Sequence, residues 1–249
     1  MNRVESTGDH HLSRLQTHWS VVAQGRGESP EAVAAKQQLL DRYFKAVRRY
    51  LIGAVRDVEV ADELAQEFAV RFMRGDLHRA DPNRGRFRDF VKGVLFHLIA
   101  DHYRRQKRTP AGLPDESLPD LQSTDPSADD KLFAENWRRE MLDLAMTELQ
   151  KHQDETGQLY YTVLQHRARE PHQRSEEMSH HLSAELGKPV NAAWVRQTLH
   201  RAREKLADFL LQEVMETLRE PSFDQLEQEL IDVDLLEYCR PALDKLRSL

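Results

Sequence analysis

Apolar side chains recur three and four residues apart over most of the chain, and this spacing is typical of amphipathic helices. From residue 32 to residue 55 the repeat runs through Leu39, Leu40, Tyr43, Val47, Leu51 and Ile52. Ser29 is a favourable N-cap and Pro30 suits the first helical position, so the first helix is predicted to begin there. No sustained alternation of β-branched residues, which would indicate strands, interrupts the pattern.

Two more helices are predicted in the first 108 residues. The second spans residues 58–74, where the apolar positions four apart are Val60, Leu64, Phe68 and Phe72. A proline and a glycine between residues 79 and 85 then favour a turn. In the third helix the apolar residues from Phe87 to Ile99 again fall three and four apart, and they form one broad face that we expect to be mostly core.

Residues 109–130 are the clearest linker in the chain. They contain four prolines and six acidic residues, and such a segment buries too little apolar surface to fold alone. The linker separates a first helical lobe, 17–108, from a second, 131–213. The polar residues 1–16 are expected to be disordered, and residues 214–249 to form an acidic, helical C-terminal extension.

The second lobe has the pattern of a helix-turn-helix. After helices near residues 131–151 and 157–169, Ser175 is predicted to cap the first helix of the motif. Gly187 suits its C-terminal end, and Asn191 suits the N-cap of the next helix. The predicted inner stripe of that second helix consists of Val195, Leu199, Ala202, Leu206 and Phe209.

Composition agrees with an all-α fold. Only ten glycines and ten prolines occur in 249 residues, while the helix formers Leu, Ala, Glu, Arg and Gln are abundant. Cys239 is the single cysteine, so no intrachain disulfide forms and a reducing compartment is indicated. The N-terminal stretch lacks the apolar core of a secretory signal, and no apolar run is long enough to cross a bilayer. We therefore expect a cytoplasmic protein that does not bind membranes.

Charge is distributed unevenly along this acidic chain, whose formal net charge is −6. The third predicted helix is bordered by two basic clusters, Arg84 with Arg86 and Arg88 at its start and Arg104, Arg105, Lys107 and Arg108 at its end. Two such clusters on one helix are suited to bind a phosphate backbone at two places. The alternative is a solvated helix whose C-terminal cations favour the macrodipole. From this segment alone the two interpretations are equally favoured.

Two further helix faces suggest binding. The outer face of the helix after Asn191 carries Arg196, Gln197, His200 and Arg201, and Arg and Gln at the start of such a helix are side chains that contact base edges in a major groove. The alternative is an ordinary helical hairpin with a solvated outer face. The second predicted helix presents an acidic face made of Asp62, Glu63, Gln66 and Glu67, which indicates a protein partner or a solvated run of charge.

Signals for an enzyme are weak. No glycine-rich phosphate loop is present, and Cys239 has no catalytic context. His97 and Asp101 are four residues apart and share a helix face, but a metal site needs more ligands. A metal-dependent hydrolase using His97, Asp101 and His102 is retained only as a weak rival. No catalytic residue, metal or cofactor is expected.

Taken in order, these parts resemble an extracytoplasmic-function (ECF) sigma factor of bacterial RNA polymerase. "VADELAQEFAVRFM" resembles the acidic stretch of sigma region 2, and "GRFRDFVKGVLFHLIADHYRRQKR" resembles the promoter-melting helix of that region. "VRQTLHRAREKL" resembles the recognition helix of region 4. Each motif alone is weak, whereas their order, spacing and intervening linker are more specific.

The resemblance implies a transcription initiation factor that binds core RNA polymerase, recognises the −10 and −35 promoter elements and assists promoter melting. The residues that would face the β′ clamp helices are Asp62, Glu63, Gln66 and Glu67. Those that would bind the −10 element are Asn83, Arg84, Arg86, Phe87, Arg88, Arg104, Arg105, Lys107 and Arg108. Those that would bind the −35 element are Asn191, Arg196, Gln197, His200 and Arg201.

The resemblance also implies partners: the β′ clamp and β subunits of core polymerase, promoter DNA, and either an anti-sigma factor or a regulatory kinase. Val60 departs from the family pattern, which often has Asp there, so the clamp contact would be weaker or need an added charge such as a phosphate. The acidic segment from Glu220 to Leu249 lies beyond the minimal family plan. It is predicted either to cover the recognition helix or to pack on region 4. The rival function is a stand-alone helix-turn-helix transcription regulator.

Overall fold

The structure is a computed structural model that describes residues 29–75, 86–108, 126–218 and 222–248. Over these residues the chain forms α-helices and no strands, which confirms the all-α fold class. The helices are α1 Pro30–Val55, α2 Val58–Arg74, α3 Phe87–Arg108, α4 Pro126–Thr156, α5 Tyr160–Arg169, α6 Ser175–Leu186, α7 Ala192–Thr217, α8 Phe223–Asp232 and α9 Leu236–Arg247. Within the described ranges, no helix has both the length and the apolar character needed to cross a bilayer.

The first two helices begin where their capping residues predict. Ser29 Oγ accepts a hydrogen bond from the Ala32 N–H at 3.2 Å, so it caps α1. Asp57 Oδ1 accepts from the N–H groups of Glu59 and Val60, at 2.9 and 3.1 Å, so it caps α2. These contacts satisfy backbone donors that have no partner within the helix. The predictions for the start of α1 and for the span of α2 are confirmed.

Two later elements differ from their predicted bounds. α4 begins at Pro126 rather than near residue 131, so the end of the predicted linker is helical; proline is compatible with a first helical position because its missing N–H has no helical partner there. In α6, Ser175 is the first helical residue rather than the cap. The preceding Arg174 instead donates its N–H to the Glu177 carboxylate at 3.0 Å. The predicted N-terminal segment 1–16 and residues 109–125 of the predicted linker lie outside the described residues.

The chain divides into two compact units. The first comprises Met1–Glu140 with Met215–Asp234, and the second comprises Met141–Val214 with Leu235–Leu249. The limits therefore fall inside α4 and α7 and not at the predicted domain ends 130 and 213. The C-terminal extension is also divided, because α8 belongs to the first unit and α9 to the second.

An aromatic cluster explains why the first part of α4 belongs to the first unit. Trp137 of α4 stacks on Tyr43 of α1, with ring centroids 4.8 Å apart. Phe133, one turn earlier, meets Tyr50 edge to face at 5.1 Å. Aromatic pairs of this kind add about 0.5–1.5 kcal/mol each beyond the area that they bury. Phe87 at the start of α3 completes the cluster at 5.4 Å from Tyr43.

The second unit has its own apolar core. One cluster of buried residues in this unit comes from α5, α6 and α7 and consists of Val163, Met178, Leu182, Val195 and Leu199. Their spacing on α6 and α7 is the helical repeat that the sequence predicts, so the inner faces of the helix-turn-helix are confirmed. Phe209, the last residue of the predicted stripe on α7, is only half-buried.

Candidate nucleic-acid and protein interfaces

The predicted polymerase-facing residues lie on one side of α2. Glu63 and Gln66 are exposed. Asp62 accepts hydrogen bonds from Arg48 of α1, at 2.6 Å from Nε and 3.1 Å from Nη2. The hydrogen bond from Arg48 is the main cause that holds the pKa of Asp62 below its usual range. Asp62 is therefore a charged carboxylate that Arg48 holds in one orientation. Its neighbours Glu63 and Gln66 are exposed to solvent.

The fourth acidic-face residue, Glu67, connects α2 to the C-terminal end of α3. Its carboxylate accepts from Arg71 one turn later on α2 and lies 3.4 Å from the Nη2 of Arg105. Pairs of exposed or half-exposed ions contribute about 0–1 kcal/mol each. The contact thus positions the side chains more than it stabilises the fold.

At the start of α3, Phe87 is a core residue. It is 1% exposed and packs against Tyr43 and Trp137, with centroids 5.4 and 6.1 Å away. A ring buried in this way is not accessible to a nucleobase in this structure, and the assignment of Phe87 to DNA stays a prediction. Its position agrees instead with the apolar repeat of α3.

Arg88 is held by a carboxylate from the C-terminal extension. Its guanidinium bonds Glu229 of α8 through Nε at 2.8 Å and Nη2 at 3.3 Å, and Nη2 is also 3.2 Å from Asp232. Arg88 is 7% exposed and Glu229 is 1% exposed. In the conformation that the structure describes, Arg88 is therefore occupied by α8, and its assignment as a DNA contact stays a prediction.

The neighbouring Arg86 faces the same carboxylates. Its Nη1 lies 2.6 Å from Glu229 and 2.5 Å from Asp232, and its Nε donates to Asp89 at 3.1 Å. Burial opposes the charge of Arg86, but these carboxylates outweigh burial and raise the pKa of its guanidinium. Removing one partner from a buried ion pair costs about 3–5 kcal/mol because the other charge is left uncompensated.

The carboxylate of Asp232 is similarly kept ionised. Burial disfavours its charged form, but hydrogen bonds from Gln228 and Arg86 outweigh that effect and hold the pKa of Asp232 below its usual range. The bond from Gln228 Nε2 is 2.8 Å long. α8 therefore presents two acidic side chains, Glu229 and Asp232, to the two arginines at the start of α3.

The other end of α3 leaves its cations more accessible. Arg104 and Arg105 are exposed, although Arg104 lies 2.5 Å from Asp101 on the same helix. Lys107 and Arg108 are described only as the last backbone positions of α3, and Asn83 and Arg84 lie outside the described residues.

Sequence patterns do not reveal two features of this surface. The acids Glu229 and Asp232 of α8 were not among the candidate residues. The one available signal is that Glu229 lies next to Leu230 on the apolar side of α8, where a buried carboxylate needs a cationic partner. Phe96 on α3 is 59% exposed, with its ring edge-on to His97 at 6.2 Å. It departs from the apolar face that the rest of α3 buries.

The turn of the helix-turn-helix is fixed by local hydrogen bonds. Asn191 Oδ1 accepts from the Trp194 N–H at 2.8 Å, so Asn191 caps α7 as predicted. Ser183 Oγ accepts from the Val190 N–H at 2.9 Å and so connects α6 to the turn. Gly187 has a φ of 62°, a left-handed conformation that glycine adopts without a steric cost.

The outer face of α7 is open to solvent. The predicted −35 contacts that are exposed there are Arg196, Gln197, His200 and Arg201. His200 Nδ1 lies 3.3 Å from the carboxylate of Glu204. α9 of the same unit approaches α7 farther along, where the Tyr238 hydroxyl donates to the Arg203 carbonyl at 3.3 Å. The four predicted side chains are thus accessible with α9 in place, and their role in DNA binding stays a prediction.

The weak hydrolase rival gains no support. His97, Asp101 and His102 all lie on α3, but within the part of the chain that the structure describes no three His, Cys, Asp or Glu side chains are grouped as metal ligands. Burial raises the pKa of the Cys239 thiol to about 12. A thiol with such a pKa stays protonated at neutral pH and is a poor nucleophile.

One protein-family model matches a segment of the first unit. Residues 37–109 match the family model of sigma-70 region 2, a span that covers most of α1 and all of α2 and α3. The match covers less than half of the chain, and it shows that α1–α3 are similar to region 2 of sigma-70 factors. No curated protein and no solved structure matches the chain.

Proposed function

We propose that the protein is a bacterial transcription initiation factor of the ECF type, which binds core RNA polymerase, recognises the −10 and −35 elements and assists promoter melting. The observation that carries this proposal is the sigma-70 region 2 match over α1–α3. The exposed outer face of α7 in the second unit supports the proposal of a second DNA-binding element.

Polymerase binding is assigned to the acidic face of α2. Glu63 and Gln66 are free to contact the β′ clamp, and Asp62 is oriented for the same contact by Arg48. Acidic side chains suit a basic partner surface and speed association through electrostatic steering. The β subunit, an anti-sigma factor and a regulatory kinase stay predictions from the resemblance.

DNA binding is assigned to both units. In the first unit, Arg104 and Arg105 are exposed cations suited to phosphates near the −10 element. In the second unit, Arg196 and Gln197 lie in the first turns of α7, where side chains of a recognition helix contact base edges, with His200 and Arg201 on the same face. Coupling of two weak modules raises their effective concentration without new contacts.

Charge reversal on α2 tests the proposal. We expect Glu63→Arg to abolish transcription from a cognate promoter with purified core polymerase, because it replaces an acidic side chain with a basic one at the proposed clamp contact. Glu135→Lys, at an exposed position of α4 in the same unit, reverses the same charge away from that face and should keep full transcription. Equal activity of Glu63→Arg and the wild type in this assay would refute the α2 assignment.

The stand-alone regulator remains the second candidate because the outer face of α7 is open. Under that hypothesis the protein binds duplex DNA specifically without polymerase, and Glu63→Arg leaves this binding unchanged. Selection of duplexes from a random pool by the free protein, with and without polymerase, separates the two functions. Enrichment of one sequence without polymerase would favour the regulator.

A further inference from the structure

A helix of the C-terminal extension contacts two arginines that are candidates for binding −10 DNA. Glu229 and Asp232 of α8 lie 2.5–3.3 Å from the guanidinium groups of Arg86 and Arg88 at the start of α3. All four residues belong to the first unit. The sequence predicts an acidic cover over the recognition helix, whereas α8 lies on the basic start of α3.

The contact engages donors that a phosphate would use. A guanidinium presents its N–H groups as a planar fork that suits carboxylate and phosphate oxygens alike. Arg88 directs Nε and Nη2 of that fork at the two oxygens of Glu229. Because Arg88 is 7% exposed, a second anion cannot approach it while α8 is in place.

The same contact reverses the local charge. Arg86, Arg88 and the adjacent Asp89 together have a formal charge of +1. The two carboxylates of α8 change the charge of this cluster to −1. A phosphate backbone is therefore repelled with α8 in place and attracted once α8 has left.

α8 also packs on the first unit through buried apolar side chains. Leu226, Leu230 and Val233 are buried, and Ser222 Oγ caps the helix by accepting from the Gln225 N–H at 3.3 Å. The contact is therefore an alternative to DNA binding with its own apolar support, and not a chance pairing of exposed ions.

We propose that α8 is an intramolecular competitor of −10 DNA, which imitates phosphates at Arg86 and Arg88 and must leave before these arginines bind the promoter. This inference rests on the proposed function, because it takes the start of α3 as a DNA-binding surface. It makes the C-terminal extension an autoinhibitory segment acting on the first unit.

The double variant Glu229→Gln with Asp232→Asn tests the competition, because it removes both charges and keeps the shape of the side chains. Binding of the full chain to a short fluorescein-labelled single-stranded DNA is measured by anisotropy over a salt series. We expect tighter binding than in the wild type, with a log–log salt slope steeper by about 1.4, since each phosphate contact on a single strand adds about 0.7. A folded double variant with the affinity and slope of the wild type would overturn the proposal.

Two further variants show where the gain arises. Asp224→Asn removes one charge from an exposed position of the same helix and should leave affinity and slope close to the wild type. Adding Arg86→Ala and Arg88→Ala to the double variant should remove the gain. If the gain survives these two substitutions, it comes from net charge alone and the competition is rejected.

A measurement on the wild type decides the question even if the double variant does not fold. Amide hydrogen exchange of residues 222–233 is compared between the free protein and its complex with core polymerase and an opened promoter. Faster exchange in the complex supports departure of α8, whereas equal or greater protection overturns it.

The two proposals fail in different assays. Loss of transcription in Glu63→Arg, with no effect of the α8 variants on DNA binding, would reject the competition and keep the initiation factor. A wild type that never supports transcription with core polymerase would reject the initiation factor, while the single-strand assay would still report whether α8 shields Arg86 and Arg88.

Discussion

At the start of α3, Phe87 lies between Arg86 and Arg88 in the sequence, but its side chain points into the core and theirs do not. Its ring is part of the core with Tyr43 and Trp137, whereas Arg86 and Arg88 meet carboxylates of α8. We expect Phe87→Ala to lower the free energy of unfolding by about 3–5 kcal/mol, because it removes a buried ring and leaves a cavity. Urea unfolding of the full chain measures the change.

Phe96 on the same helix is the matched control for that prediction. Because its ring is mostly exposed, Phe96→Ala should change the free energy of unfolding by no more than about 0.5 kcal/mol. If both variants lost a similar free energy of unfolding, the assignment of Phe87 to the core and of Phe96 to the surface would be contradicted.

At the scale of elements, the contact between α8 and α3 includes the ionised carboxylate of Asp232. The pKa of Asp232 is lowered in the folded protein, so its stabilising contribution is complete above the unfolded aspartate pKa of about 3.9 and is lost as pH falls through the lower folded value. We therefore expect the wild type to lose more stability than Asp232→Asn on acidification from neutral pH to below that range. Urea unfolding at a series of pH values measures this difference.

Asp224→Asn is the control for the pH series, since Asp224 is exposed on the same helix. Its pH profile should follow that of the wild type. If Asp232→Asn also follows the wild type, Asp232 does not stabilise the contact between α8 and α3.

At the scale of the whole molecule, the proposed promoter contacts are divided between the two units. Arg104 belongs to the first unit and Arg196 to the second. Because the two side chains share no partner, their effects on binding free energy should add, so Arg104→Ala and Arg196→Ala should weaken promoter binding by factors that multiply in the double variant. Filter binding of promoter DNA by the polymerase complex measures the three affinities.

The three affinities would follow a different order if one unit alone contacted the promoter. One of the single variants would then equal the double variant in affinity, and the other would equal the wild type. That result would place both promoter elements on one unit and contradict the proposed division.

Local patterns were sufficient to predict the helices and their inner faces. The caps Ser29 and Asn191 and the apolar repeat of α7 depend on neighbours within a few residues, so helical periodicity and capping chemistry identify them. The α2 and α7 surfaces were also predictable as outer faces, since each lies opposite a buried stripe. The contacts of Arg86 and Arg88 were not predictable, because their partner Glu229 lies 141 residues beyond Arg88. Sequence shows that these side chains are cationic; whether they face DNA or a carboxylate depends on which distant helix packs beside them.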